Sequence, residues 1–170
     1  TGLFPAQLSA LRELALRRCA DRASLYTEDM RGRDNYRTHE HVLVCLSSAP
    51  SNAKIIRTAA RMAGAFRCSF TALFVETKEF RWMAQADKER LQANQRLAEQ
   101  LGAAIELVYG DDIAYQIAEF ARLSGVTKIV LGRSGISRGK LLRMPSLTER
   151  LIELTPELDV HIIPDSAKRS

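Results

Sequence analysis

The feature that most constrains the fold is an alternation of strand and helix patterns from residue 42 onward. Short apolar runs of strand length recur, and segments with apolar residues at helical spacing separate them. Such alternation is typical of a parallel sheet covered by helices on both faces. The sequence therefore predicts an α/β fold, a doubly wound five-stranded parallel sheet of the Rossmann-like class. The predicted strands are 42–47, 70–75, 104–108, 127–131 and 160–163, and the predicted helices are 51–66, 83–101, 113–123 and 146–154.

The segment before this alternation has a different character. Residues 1–30 carry apolar residues at helical spacing, with Pro5 suited to a first turn, so we expect an N-terminal helical extension. Residues 31–39 are polar, unpatterned and glycine-containing, which favours a linker. The α/β domain is expected at 40–165, followed by a tail at 166–170.

Composition places the chain among soluble globular proteins, with 46% apolar and 26% charged residues. The net charge of +5 is compatible with an anionic ligand, an acidic partner or nucleic acid. Three cysteines without CxxC spacing argue against a zinc site and a disulfide framework. No stretch approaches the ~20 apolar residues of a membrane span, so we expect a cytoplasmic chain that itself makes no membrane contact.

The turn after the first predicted strand, SSAPSN, is the first candidate ligand site. Ser47, Ser48 and Ser51 offer hydroxyl groups, and Asn52 begins a helix whose dipole favours negative charge. Ser51 is also the expected N-cap of that helix. Because ligands of parallel sheets bind beyond the carboxyl ends of strands, this turn is predicted to face an anion. Ordinary turn chemistry is the alternative explanation of the same residues.

The loop after the fourth predicted strand, GRSGISRGKLLRMPS, is the second candidate. Gly132 and Gly135 allow close approach of the backbone to a phosphate, while Arg133 and Arg138 bring positive charge. The alternative is a solvated basic loop.

Motifs for catalysis are absent from the sequence. There is no GxxxxGK[ST], GxSxG or HExxH, and a helix cap explains the paired carboxylates Asp111 and Asp112. We therefore expect neither catalytic nor metal-ligating residues. Nucleic-acid binding is disfavoured because the basic loop lacks interleaved aromatics. Trp82 suggests an exposed interface residue or, equally, a lid packed on the sheet edge.

Several segments carry a resemblance to a known family. The runs HVLVCLSSAPSNAKIIRTAARMAGAFRCSFTALFVET, KIVLGRS and LTERLIELTPELDVHIIP resemble the universal stress protein-like domain of KdpD-type sensor histidine kinases. LSALRELALRRCADR is similar to the closing helix of the preceding KdpD domain. The resemblance implies a universal stress protein-like fold with strand order 3-2-1-4-5, in a two-component system that controls potassium uptake. The partners it implies are a nucleotide, other domains of the parent kinase and a second copy of the chain.

Some members of this family bind cyclic di-AMP through a motif of the form SxS followed by FTAxY. Ser47 matches the first serine and Ala49 stands in place of the second, whereas FTALF has Phe74 in place of tyrosine. Each missing hydroxyl corresponds to about 1 kcal/mol of hydrogen bonding. Ser48 or Ser51 is a candidate to compensate.

ATP-binding universal stress proteins carry GxxG and a later G[ST]. Gly132, Gly135 and Ser146 match, but Pro145 replaces the last glycine. The resemblance therefore ranks cyclic di-AMP first, ATP second and a ligand-free interaction or dimerisation module third. The predicted ligand-binding set is Ser47, Ser48, Ala49, Ser51, Asn52, Phe70, Thr71, Ala72, Phe74, Gly132, Arg133, Ser134, Gly135, Arg138 and Ser146.

Overall fold

Strands and helices alternate throughout the described part of the chain. The structure is a computed structural model, and it describes residues 39–133 and 145–164. The strands are β1 (His41–Cys45), β2 (Ser69–Glu76), β3 (Ala104–Tyr109), β4 (Lys128–Gly132) and β5 (Asp159–Ile163). The helices are α1 (Asn52–Phe66), α2 (Gln85–Gln100), α3 (Ile113–Leu123) and α4 (Leu147–Leu154), with a 3₁₀ turn at Lys78–Trp82.

The five strands form one parallel sheet in the order β3-β2-β1-β4-β5. The predicted doubly wound α/β class and strand order are therefore confirmed. The central strand β1 is apolar without interruption from Val42 to Val44 because helices cover both of its faces.

Each face of the sheet has its own apolar core. On one face, Ile55, Ile56 and Ala59 of α1 and Leu91 of α2 pack against alternate residues of β1, β2 and β4. On the other face, Ile117 and Ala121 of α3 and Leu151 of α4 cover the remaining alternate residues. Because successive strand residues point to opposite faces, both cores draw on the same strands.

Helix α2 turns a different face inward from the one its sequence suggests. Helical spacing predicts one face that contains Met83, Ala86, Arg90, Ala93, Leu97 and Leu101. Of these, Leu97 packs against the core, whereas Ala86, Ala93 and Leu101 are exposed. The buried residues are Leu91, Asn94 and Ala98. Alanine gains little from burial, so Leu91 decides the packing and the polar Asn94 is carried into the interior with it.

Several predictions fall outside the described residues. They are the helical extension at 1–30, the linker up to residue 38, the site residues Ser134, Gly135 and Arg138, and the tail at 166–170. Within the residues that the structure does describe, no helix combines the length and apolar character needed to cross a membrane.

Candidate functional site

The turns after β1 and β4 lie next to each other because these two strands are neighbours in the sheet. Their pairing runs from Val42 opposite Lys128 to Val44 opposite Val130. The chain leaves β1 toward β2 and β3 and later returns to β4 on the other side of β1. Ligands of open parallel sheets bind beyond the carboxyl ends of the strands at such a reversal of strand order, and we call this region, between the turns after β1 and β4, the crevice.

Asn52 anchors the turn that follows β1. Its Oδ1 accepts a hydrogen bond from the backbone N–H of Ser47 at 3.2 Å, and its Nδ2 donates to the carbonyl oxygen of Cys45 at 3.0 Å. The residue is only 2% exposed. Its side chain is therefore directed into the protein and fixes the shape of the turn.

The serines of the turn play different roles. The hydroxyl of Ser47 accepts from the N–H of Ala49 at 3.3 Å, and the N–H of Asn52 donates to the carbonyl of Ala49 at 3.0 Å. Ser51 stands at the N-cap position, but its hydroxyl accepts no capping hydrogen bond and its backbone is helical. The expected side-chain cap by Ser51 is thus wrong, because an N-cap side chain reaches the helix from an extended backbone.

Helix α2 binds the two carbonyl groups of this turn. Asn94 donates through Nδ2 to the carbonyl oxygen of Ser47 at 2.8 Å, and Arg90 donates through Nη1 to that of Ser48 at 3.0 Å. A trans peptide places its N–H opposite its C=O, so the N–H of Ser48 points away from Asn94. Both carbonyl groups are thus satisfied by donors on α2, and the Ser48 N–H is directed away from Asn94.

Sequence reasoning did not assign a role to either Arg90 or Asn94. The two residues stand one helical turn apart, which is the usual spacing of neighbours on a helix face. The sequence does contain an indication that Asn94 is buried, because it shares the helical spacing of Leu91 and Ala98, which are core residues.

The β4 side of the crevice contributes Gly132 and Arg133. A Cβ added at Gly132 would lie 2.5 Å from Cδ1 of Ile55, so glycine here also permits close packing of α1. The N–H of Arg133 donates to the carbonyl of Ile163 at 3.1 Å, which fixes its backbone while its side chain is exposed.

Ser146 begins helix α4 with a complete capping box. Its hydroxyl accepts from the N–H of Glu149 at 3.2 Å, and its own N–H donates to Oε2 of Glu149 at 2.9 Å. The Ser146 N–H, which a phosphate at the start of this helix would use as a donor, thus already donates to a carboxylate of the chain.

Phe70, Thr71 and Ala72 of the FTALF motif are buried within the sheet. The hydroxyl of Thr71 is 2.8 Å from Nε2 of His41, near the amino ends of the strands. Phe74 is half-buried and packs edge-on against Phe80, with ring centroids 5.6 Å apart. Of these motif residues, Phe74 alone stands toward the carboxyl end of β2, and the structure does not bring the other three to the crevice.

The paired acids Asp111 and Asp112 are held by ion pairs. Asp111 pairs with Lys78 at 2.8 Å, and Arg150 donates through both Nη atoms to Asp112 at 2.8 Å and 2.7 Å. Asp112 also accepts from the N–H of Tyr115, as its predicted capping role requires. The hydrogen bonds from Lys78 and Arg150 lower the pKa of these two carboxyl groups.

Cys45 is the last residue of β1 and is not a candidate nucleophile. Burial raises the pKa of the Cys45 thiol to about 12, which leaves it protonated and unreactive at neutral pH. Among the residues placed by the structure, no cluster of three or more His, Cys, Asp or Glu side chains is arranged to hold a metal ion. Trp82 is 86% exposed, and it does not pack as a lid.

No protein-family model matches the chain. Among curated proteins, it is 40% identical over 166 residues to "Sensor protein KdpD" of Clostridium acetobutylicum, an alignment that covers 94% of this chain and 18% of that protein. This chain is homologous to part of the KdpD sensor proteins. The KdpD of Escherichia coli is 31% identical over 156 residues, which cover 89% of this chain and 17% of the relative. The chain thus spans about a fifth of the length of these two KdpD relatives.

Solved structures of universal stress proteins share the fold. A universal stress protein in complex with cAMP has a TM-score of 0.58 at 19% identity and covers 75% of this chain and 98% of its own. A family member from Burkholderia pseudomallei has a TM-score of 0.53 at 18% identity, with the same coverage of both chains. The KdpD-homologous chain therefore has the universal stress protein fold.

Proposed function

We propose that this chain is a non-catalytic, cytoplasmic regulatory domain of a sensor kinase that controls potassium uptake, and that it senses a nucleotide. The first-ranked ligand is cyclic di-AMP, bound between the Ser47 turn and the loop that begins at Arg133. The observation that carries the proposal is the orientation of the Ser47 turn. The carbonyls of Ser47 and Ser48 are bound by α2, so the Ser48 N–H and the serine hydroxyl groups remain for a phosphate.

The proposed mechanism follows from this crevice. A phosphate accepting from the Ser48 N–H and the serine hydroxyls would draw the exposed Arg133 side chain toward it, since a guanidinium pairs strongly with phosphate. Closing the two loops on one ligand would change the surface offered to other domains of the kinase or to a second copy of the chain.

ATP is the second candidate ligand, and Glu149 disfavours its binding. The Glu149 carboxylate accepts a hydrogen bond from the Ser146 N–H, and Pro145 has no N–H to donate. A triphosphate that approached the start of α4 would meet a negative charge at a filled position. A ligand-free interaction module is the third candidate.

Calorimetric titration of the 170-residue chain tests the proposal. Cyclic di-AMP should bind more tightly than ATP, and Arg133→Gln should weaken cyclic di-AMP binding about tenfold, the effect of one charged hydrogen bond. Arg57→Gln, an exposed change on the outside of α1, is the matched control and should bind as the wild type does. Absence of heat with either nucleotide at high micromolar concentration would leave only the interaction module.

A further inference from the structure

We propose that Arg90 contacts a phosphate of the bound nucleotide and that Asp87 is the counter-ion the phosphate displaces. This inference rests on the proposed function and adds a residue to its site. The only charged side chain hydrogen-bonded to the Ser47 turn in the described ranges is Arg90, bound to the carbonyl oxygen of Ser48 at 3.0 Å.

The guanidinium of Arg90 keeps hydrogen-bonding capacity for a ligand. Its hydrogen bonds to residues in the described structure all use Nη1, which donates to Ser48 and, at 3.1 Å, to Oδ1 of Asp87. Five N–H groups of a guanidinium are arranged as a fork that suits phosphate oxygens. The side chain is 40% exposed, so solvent reaches it.

The bond to Ser48 also fixes where this charge lies. It holds the guanidinium against the turn, so little side-chain entropy remains to be lost when a phosphate binds. Among the described residues, the hydrogen bond that fixes Arg133 on the β4 side is made by its backbone N–H, and its exposed side chain has no such restraint.

The ion pair between Arg90 and Asp87 can be broken at a small cost in stability. Both partners are about two-fifths exposed and belong to one helix, a type of ion pair that contributes little to stability. A phosphate that enters the crevice competes with the Asp87 carboxylate for the same guanidinium. Removing the Asp87 charge should therefore strengthen phosphate binding, while removing the Arg90 charge should weaken it.

A purely structural role for Arg90 makes a different prediction. If Arg90 served only to hold the Ser48 carbonyl, both changes would act through the shape of the turn. Neutralising Asp87 would then leave affinity unchanged or reduce it, and the salt dependence of binding would stay that of the wild type.

The experiment compares wild type with Arg90→Gln, Arg90→Lys and Asp87→Asn by calorimetry with cyclic di-AMP at low and high salt. Arg96→Gln removes the same charge from the exposed side of α2 and is the control. We expect about tenfold weaker binding and a shallower salt dependence for Arg90→Gln, an intermediate result for Arg90→Lys, and roughly twofold tighter binding for Asp87→Asn.

Equal affinity and salt dependence for Arg90→Gln and Arg96→Gln would overturn the role of Arg90 while leaving nucleotide binding in place. Weaker binding by Asp87→Asn, with an unchanged melting temperature, would overturn the role of Asp87. If the wild type itself does not bind cyclic di-AMP, the proposed function and this inference are both refuted.

Discussion

Asn94 of helix α2 holds the turn after β1 through a 2.8 Å hydrogen bond to the carbonyl oxygen of Ser47. The amide is only 5% exposed, so water does not replace this bond if it is lost. Asn94→Asp keeps the size of the side chain but replaces the donor by an oxygen that faces the carbonyl. We expect the free energy of unfolding to fall by about 1–3 kcal/mol, the cost of an unsatisfied buried group.

Urea unfolding at neutral pH measures this change. Gln92→Glu makes the same amide-to-acid replacement on the exposed side of α2 and should leave stability nearly unchanged. Equal effects of the two substitutions would show that the Asn94 bond contributes nothing specific.

Asn52 and Ser51, at the start of α1, should contribute very differently to the free energy of unfolding. Asn52→Ala removes hydrogen bonds to the Ser47 N–H and the Cys45 carbonyl and should cost about 2 kcal/mol. Ser51→Ala should cost less than about 0.5 kcal/mol, because its hydroxyl makes no capping bond. Denaturant midpoints of the two variants give the comparison, and a larger loss for Ser51→Ala would contradict the described turn.

This contrast shows how far local sequence reasoning reaches. The five strands agree with the prediction because strands buried on both faces must be apolar throughout. The strand order, and with it the pairing of β1 with β4, is implied by the resemblance to the universal stress protein-like domain. The supports of the turn lie far along the chain, with Asn94 separated by 47 positions from Ser47 and Arg90 by 42 from Ser48. Their contact depends on which face α2 turns inward, and its alanine-containing pattern does not decide that.

Restoring the two missing motif hydroxyls should strengthen cyclic di-AMP binding. Ala49 is exposed in the turn, and Phe74 is half-buried near the carboxyl end of β2, so both positions lie at the edge of the sheet where the site is proposed. Ala49→Ser and Phe74→Tyr should each lower the dissociation constant about fivefold, equivalent to about 1 kcal/mol.

Calorimetry on the two variants provides the measurement. Ala65→Ser and Phe66→Tyr add the same groups at the far end of α1, away from the crevice, and serve as controls. If the motif variants gain no more than these controls, the motif residues do not contact the ligand.

Asp112 should make stability depend on pH in the acid range. Its hydrogen bond from Arg150 lowers its pKa, so the folded state holds the proton less tightly than the unfolded chain. The resulting stabilisation is present above the ordinary carboxyl pKa and is lost as the pH falls through the lowered value. Asp112→Asn retains an N-cap but loses the charge, and its stability should fall less steeply on acidification than that of the wild type. Urea midpoints at neutral and acid pH test this, and equal slopes would contradict it.

Glu149 should act as an obstacle to ATP at the start of α4. Its carboxylate accepts the Ser146 N–H at 2.9 Å, so a negative charge stands where the helix dipole would otherwise attract a phosphate. Glu149→Gln preserves the capping box, because glutamine makes the same hydrogen bond, and removes only the charge. ATP affinity should then rise roughly twofold to fivefold, the usual size of a charge effect at a helix end.

Glu153→Gln, an exposed change in the last turn of α4, should leave ATP affinity unaltered. Calorimetric titration with ATP measures these affinities. If both variants bind ATP as the wild type does, the charge of Glu149 does not select between the two nucleotides, and Pro145 remains as the residue that disfavours ATP.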